Sequence, residues 1–553
     1  MYIKPSIFLC VNLIVISAAN KNNMFDLFEY YKLPPLYTEE DYHRCLLQSK
    51  TNESVYCSVV TTIKPDNSSE VWKLIEEYSR DKIKHFRHDI TFHGICVSWC
   101  KDKLMSMEYN EYLFENIFDI DHEYYNTVYK NAFRDNEEIQ NMRSKYDRIL
   151  NKCVNMYLLK EFNLKGYSTV ISCSSNNKSE QKNNMITEFL NNVFIGLLLV
   201  ISSLVFTGTY YHFHYVQIVT KPSYSPIQEL IMQIFSLQIN YNRLISSPIS
   251  ELGRDLRYLQ AARYIFIFFI IFGHLTYLYT RVPILNPQYF EQKYYSLWGM
   301  LQLNGSHIVQ TFFLISGLLM GLAFKDIIDK KNFSLSYSWI AMAYRFIRLT
   351  PVYGIVLFYE TTSLMRPSTL HPFWQERFKV ERNQCQLNWW LNILYLNNVF
   401  NIPTTCMPHS WYLAADFQVF LFSLVFMMLS WRFKNFKFII LTLGGLIVLL
   451  FPAVITYLKE YPAIYMASPE YVDSNTDMIY KKDYKYHLLQ DAFQHYYIPF
   501  YTNAGNYYFA MILGLHYDLL KNEKIVKLFK IPAHINSKSS TSINLAAIRY
   551  YQL

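Results

Sequence analysis

From Ile186 to about residue 519 the chain runs as long apolar stretches separated by short basic connections. A stretch of about twenty apolar residues is the length a helix needs to cross a bilayer. In hydrocarbon a helix bonds all of its own peptide groups. Spans are therefore expected near 186–211, 261–280, 308–324, 347–365, 411–431, 437–457 and 498–519, with a shorter apolar piece at 388–400. The last span is interrupted by Asn503, Gly505 and Asn506. Residues 20–185 are different, polar and mixed, with charges throughout. Only 17% of the 553 residues are charged, against about 25% in soluble domains, so the chain divides into an aqueous region and one in lipid. The net charge of +8 sits on no Lys/Arg cluster within a foldable soluble unit. It points to basic loops at a cytoplasmic face rather than to nucleic acid.

The first residues read as a signal peptide over 1–19. Lys4 opens it, Ser6–Ile16 forms a short apolar core and Ser17, Ala18 and Ala19 supply small residues for cleavage. An uncleaved anchor is the alternative. Cysteine usage fits an oxidising compartment. Six cysteines fall in the polar region (Cys45, Cys57, Cys96, Cys100, Cys153, Cys173) and two later, Cys385 and Cys406. Six cysteines allow 15 pairings, so connectivity is not readable. Cys96 and Cys100 have ligand-like spacing, but no matching Cys/His pair follows, and no metal site is expected. Residues 20–185 read as mainly helical. Val71, Leu74, Ile75 and Tyr78 recur at helical spacing over Ser69–Lys84, with Ser69 as the N-cap. Glycosylation sequons begin at Asn52, Asn67 and Asn177, and residues 174–184 form a polar hinge.

Charge tests the orientation. With the N-terminus outside, the inner connections hold Lys221, Arg243, Arg254 and Arg257, then Lys325, Lys330, Lys331 and Arg345, then Arg432, Lys434 and Lys437, then Lys521, Lys524, Lys527 and Lys530. That satisfies the positive-inside rule. It also puts Cys385, Cys406 and the Asn304 sequon outside, and leaves the Asn332 sequon inside and unused.

Ionisable residues within lipid need a pocket or a water path. His274 follows Arg263 by 11 residues, about 16 Å along a helix, so Arg263 is expected at the inner interface and His274 near mid-membrane. The imidazole is either a hydrogen-bonded interior group or a base that takes a proton from a hydroxyl. Arg345 and Arg348 share one helix face at the inner interface, either as snorkelling anchors or as a phosphate clamp joined by Arg263. Asp416, five residues into its span, needs a partner. His409 precedes that span at the outer interface, where a solvated histidine is unremarkable. Ser316, beside Gly317, serves close helix packing.

These residues stand in a recognisable order. ARYIFIFFIIFGH (262–274), TFFLISGLLMG (311–321) and YRFIRLTPVY (344–353) resemble the motifs of the acyltransferase-3 membrane family. CQLNWWLNILYLNN (385–398) and CMPHSWYLAADFQ (406–418) resemble its animal nose-resistant-to-fluoxetine branch, as do YHRCL (42–46), VYCSV (55–59) and FRHDITFHGICVSWC (86–100). The resemblance spans roughly residues 25–520. It implies an all-α polytopic membrane bundle with a disulfide-bonded, mainly helical outer domain. The parts are the outer domain at 20–185, a first span at 186–211, a cytoplasmic loop at 212–260, the family's membrane domain at 261–520 and a cytoplasmic tail at 521–553. It further implies transfer of an acyl group from cytosolic acyl-CoA to a lipid or glycan hydroxyl across the membrane, with no bound cofactor. His274 becomes the general base, and Arg263, Arg345 and Arg348 hold the acyl-CoA phosphates. Ser316, His409 and Asp416 fall in family motifs with roles less defined; Asp416 is assigned to the catalytic set, Ser316 and His409 to substrate binding. Two departures stand out. Gln310 replaces an acidic residue that usually precedes the Thr-Phe-Phe stretch, and residues 531–553 are polar where the family continues with further helices. Weak or absent activity is the expectation from the second. The competing class is a non-catalytic membrane protein that moves or senses lipophilic molecules.

Overall fold

The structure, a computed structural model, describes residues 26–47, 54–81, 84–106, 137–175, 185–218, 225–247, 251–279, 284, 286–296, 299, 305–329, 335–364, 372–461 and 492–517. The signal-peptide segment, Asn52, Asn177, Asn304, Asn332 and the tail from residue 518 lie outside them.

The polar region is built on a four-stranded sheet that the helical reading did not contain. Its strands are β1 (Tyr37–Glu39), β2 (Val55–Ile63), β3 (Ile90–Cys96) and β4 (Gly166–Ser175), in the order β1-β3-β2-β4. β1 runs parallel to β3, and β2 runs antiparallel to both β3 and β4. Every residue of β2 is buried. With both faces covered, VYCSVVTTI has no need of apolar–polar alternation, so its sequence lacks the usual strand signal. Around the sheet lie α1 (Glu70–Arg80), α2 (Val97–Met105) and α3 (Glu137–Phe162). The capping expectation holds, since Ser69 accepts a hydrogen bond from the Trp72 N–H at 3.3 Å. α3 seals the free edge of β4 with a ladder of polar side chains one turn apart. Asp147 accepts from Val170 N at 2.7 Å, Asn151 from Ser168 N at 2.9 Å and Asn155 from Gly166 N at 2.7 Å. An edge strand left open is a template for aggregation; here its donors are met by one helix. Disulfides Cys45–Cys96, Cys57–Cys173 and Cys100–Cys153 staple helices and strands together. Asn67 is exposed in the turn before α1.

The remainder is helical: α4 (Met185–Ile218), α5 (Pro226–Phe235), α6 (Leu237–Ile245), α7 (Arg257–Tyr279), α8 (Pro287–Lys293), α9 (Gly305–Asp329), α10 (Leu335–Thr361), α11 (Pro372–Ile393), α12 (Trp411–Arg432), α13 (Lys437–Lys459) and α14 (Phe500–Leu515). Among the described residues six helices are long and apolar enough to cross a membrane: α4, α7, α9, α10, α12 and α13. α14, at 16 residues, is shorter than a span needs, yet it fills the centre of the bundle, with Tyr507, Tyr508 and Met511 fully buried. It meets α9 at backbone distance. A Cβ added at Gly317 would lie 2.0 Å from Tyr507 O, and one at Gly321 would lie 2.2 Å from Met511 O. Small residues four apart are what allows such an approach.

One face of the bundle carries the sheet domain. Glu291 of α8 is fully buried against it, taking His85 Nδ1 at 2.5 Å, His88 Nε2 at 2.9 Å and Phe86 N at 3.1 Å. Asn191, at the start of α4, bonds Ser363, just past the end of α10, at 2.7 and 2.9 Å. Chain alternation then places Lys325, Arg432, Lys434 and Lys437 at the opposite face.

Candidate functional site

α7, α9, α10, α12 and α14 each contribute to one polar cluster inside the bundle. The reading of a span from residue 347 set Arg345 at the membrane edge. α10 instead begins at Leu335, which places Arg345 ten residues inside, about 15 Å along the helix. The stretch LSYSWIAMAY ahead of it is too rich in serine and tyrosine to read as apolar, though it is helical. The Arg345 side chain is only 20% exposed, inside a helix long and apolar enough to cross a membrane, where a free cation would be costly. Its Nη2 bonds the Asp416 carboxylate and lies 3.3 Å from Ser316 Oγ. The guanidinium also stacks over the Phe420 ring at 4.5 Å from its centroid, a favourable place for a cation. Tyr507, whose hydroxyl donates to Met320 Sδ at 3.3 Å, lies within electrostatic range of Ser316, Arg345 and Asp416, and Arg263 lies within such range of Tyr412, Arg348 and Asp416. Among the described residues, Arg345 Nε and Asp416 Oδ1 are buried with no hydrogen-bond partner.

Closer to the domain face, His274 of α7 and His409 meet edge to face, with ring centroids 5.7 Å apart. His409 precedes Asp416 by seven residues, about 10 Å along the chain's helical rise, so the two imidazoles form a second tier above the ion pair. Position alone predicts a solvated interfacial histidine at 409; the fold brings His409 to His274.

The turn that carries His409 is tightly held. Pro408–Ser410 is a 3₁₀ turn entered through Met407, whose φ of 50° is left-handed. Such a backbone is strained for a side-chain-bearing residue and persists only where its surroundings enforce it. Glu381 accepts from Met407 N at 3.1 Å, and the Cys385–Cys406 disulfide anchors the preceding residue. Ser410 Oγ takes hydrogen bonds from Tyr353 (2.8 Å), Asn392 (3.1 Å) and Asn397 (3.1 Å) and donates to Met407 O at 2.7 Å. Tyr353, Asn392, Asn397 and Ser410 were not singled out from the sequence; only the run LNILYLNN, oddly amide-rich for an apolar stretch, hints at them. Gln310 bonds Asn503 and Asn506, at 2.5 and 3.0 Å, so its amide ties α9 to α14 where a carboxylate was expected from the resemblance. Among the described residues, no group of three or more His, Cys, Asp or Glu is placed to hold a metal ion.

This geometry can be set beside known proteins. The family model described as an acyltransferase domain matches residues 256–534. Nose resistant to fluoxetine protein 6 of Caenorhabditis elegans is 29% identical over 219 residues, covering 36% of this chain and 25% of that protein. The match thus spans about a quarter of that relative's length. No solved structure matches the chain.

Proposed function

The chain belongs to the acyltransferase-3 family, and on that premise we propose that it transfers an acyl group from cytosolic acyl-CoA to a lipid or glycan hydroxyl at the face bearing the sheet domain. The observation that carries this reading is the pairing of His274 with His409 above a buried Arg345–Asp416 pair. A neutral imidazole of His274 takes the proton from the acceptor hydroxyl. The oxygen attacks the thioester carbonyl, the carbon–sulfur bond breaks, and the coenzyme A thiolate leaves and is protonated. His409 orients His274 or the acceptor. Arg263, nearer the basic face, and Arg348, one turn beyond Arg345 on α10, hold the phosphates of the donor, since guanidinium forks match phosphate oxygens. Arg263 lies 11 residues from His274, about 16 Å along the helix, a distance that an extended pantetheine arm covers. Arg345 is engaged by Asp416 and Ser316, and its part is to hold α9, α10 and α12 together beneath the histidines.

In this reading the sheet domain is lumenal or extracellular, entered through the secretory pathway with residues 1–19 as signal peptide, and glycosylated at Asn67. Its three disulfides, its place on one face and the basic residues at the other support that orientation.

Membranes holding the wild-type chain, His274→Ala or His409→Ala are incubated with radiolabelled acyl-CoA, and lipid and glycan fractions are counted. The proposal expects label in one fraction and its loss in His274→Ala. Transfer that survives in His274→Ala removes the base assigned here. Absence of transfer by the wild-type chain favours a protein that moves or senses lipophilic molecules.

A further inference from the structure

Between the first span and α7 the described residues include two helices in succession, α5 and α6. α5 starts with a capping box in which Ser225 and Gln228 satisfy each other's backbone, with Pro226 at the first helical position. It ends at Ser236, which in turn caps α6 by accepting from Ile239 N. The kink at Ser236 is docked into α4. Leu237 N bonds Thr209 Oγ1 at 3.1 Å, and a Cβ on Gly208 would lie 2.9 Å from Ile231 O. The first span runs from Thr187 to His214, so Gly208 lies 21 residues, about 31 Å, from its outer end and six residues, about 9 Å, short of its inner one. The hydrocarbon core is about 30 Å thick. The kink therefore sits where hydrocarbon gives way to headgroups, on the face opposite the sheet domain.

Each helix is too short to span and is divided lengthwise. On α5, Ile227, Leu230 and Ile234 fall on one stripe and are 69%, 57% and 52% exposed. Glu229 and Gln233 lie on a different exposed stripe and bond each other at 2.9 Å, while Met232 is buried. On α6, Leu237, Tyr241 and Leu244 form the exposed apolar stripe. Two side chains of α6 are tied back across the kink to backbone carbonyls in the last turn of α5. Arg243 Nη1 bonds Gln233 O at 3.0 Å, and Asn240 Nδ2 bonds Ile234 O at 2.8 Å. α6 is thus held against α5, and the pair forms one amphipathic plate.

We propose that α5 and α6 lie in the plane of the membrane, with the Ile227–Leu230–Ile234 and Leu237–Tyr241–Leu244 stripes embedded in the acyl-chain boundary of the leaflet opposite the sheet domain. A lipid surface is the occupant for two reasons. The kink stands at the depth of that boundary, and the stripes continue the exposed apolar surface of α4 at Phe206, Tyr210 and Phe213. Helices of this kind bury an apolar face about 5–10 Å into the headgroup region. The charged side chains of α5 and α6 are Glu229 and Arg243, one of each sign, so attachment rests on apolar burial and does not select anionic lipid.

Single nitroxides at Leu230, Ile234 and Leu244, and at Glu229 and Gln233, are placed in the full chain reconstituted in phosphatidylcholine bilayers. Collision with oxygen and with a water-soluble nickel chelate is then compared. The proposal expects Leu230, Ile234 and Leu244 labels to favour oxygen and Glu229 and Gln233 labels to favour nickel, unchanged when a fifth of the lipid is phosphatidylserine. Nickel access at Leu230 and Leu244 equal to that at Glu229 puts the plate in water and overturns it. Protection of the Leu230 and Leu244 labels from both reagents means that protein covers the stripes, a second copy or a partner, and also overturns it. A pattern seen only with phosphatidylserine present removes the apolar basis.

Discussion

His88 Nε2 and Glu291 Oε1 lie 2.9 Å apart across 203 residues of sequence, and both side chains are almost wholly buried. They clasp the sheet domain to α8, which follows the helix that carries His274. Burial alone would push the Glu291 carboxyl up, but the His88 and His85 imidazoles, by charge and by hydrogen bonding, outweigh it and hold it below the ordinary glutamate range. Tyr30, Tyr78, Tyr294 and Tyr295 also face this carboxylate. A depressed carboxylate stabilises the docked state above its ordinary value near pH 4.5 and ceases to as pH falls through its folded value. Docking is therefore expected to hold at neutral pH and to loosen as pH falls below the ordinary glutamate value. Glu291→Gln, which keeps the shape and loses the charge, is expected to weaken docking by about 1.5–3 kcal/mol, the range for hydrogen bonds to a charged group. Hydrogen exchange of residues 84–90 reads both effects. Protection that is unchanged in Glu291→Gln would contradict the clasp.

The Arg345–Asp416 pair yields a second expectation. Removing one partner of a buried ion pair leaves an uncompensated charge and costs about 3–5 kcal/mol. Asp416→Ala is expected to lower the thermal midpoint of the detergent-solubilised protein sharply. The double variant Asp416→Leu with Arg345→Met, which removes both charges, is expected to recover most of that loss. Acyl transfer is expected to vanish in both. Stability of Asp416→Ala equal to wild type would mean that water reaches Arg345.

The bundle was legible in the sequence because lipid makes span length and apolarity strict requirements, and the loop charges agreed with the alternation of α4, α7, α9, α10, α12 and α13. The eight cysteines were legible as disulfides but not as pairs, since pairing depends on strand neighbours such as Cys57 and Cys173, which face each other across β2 and β4. The sheet was not legible, because a strand buried on both faces reads as a short apolar run. The meeting of His274 and His409 joins residues 135 positions apart and leaves no local mark. Nor does the ladder of Asp147, Asn151 and Asn155, which on a helix reads as an ordinary solvated face.

The turn bearing His409 depends on the Cys385–Cys406 bridge, which closes a stretch of 21 residues. A loop of that size constrained by a disulfide is worth about 3 kcal/mol in the chain-entropy account. The paired variant Cys385→Ser with Cys406→Ser is expected to lose about that much stability. It is also expected to release the left-handed Met407, so that the His274–His409 contact opens. A histidine-to-histidine double-mutant cycle on the thermal midpoint reads the second effect: coupling between His274→Ala and His409→Ala is expected in the bridged protein and absent in the serine pair. Equal coupling in both would show that the Ser410 network alone holds the turn.

Two glycines in spans make opposite predictions. At Gly317 an added Cβ would lie 2.0 Å from Tyr507 O and 2.8 Å from its carbonyl carbon, both backbone atoms of α14. Backbone cannot rotate aside as a side chain can, so Gly317→Ala must push α14 away from α9 and with it displace Tyr507 from Ser316 and Arg345. A cost of about 3 kcal/mol or more, the upper range for overpacking, is expected, together with loss of activity. At Gly196, on α4, nothing lies within 4 Å of an added Cβ. There Ala removes backbone freedom from the unfolded chain without a clash, and Gly196→Ala is expected to be neutral or to raise stability by up to about 1 kcal/mol. Thermal midpoints of the two variants, measured side by side in the same detergent, check the pair. A Gly317→Ala protein as stable as Gly196→Ala would mean that α14 does not press on α9 as closely as its glycines require.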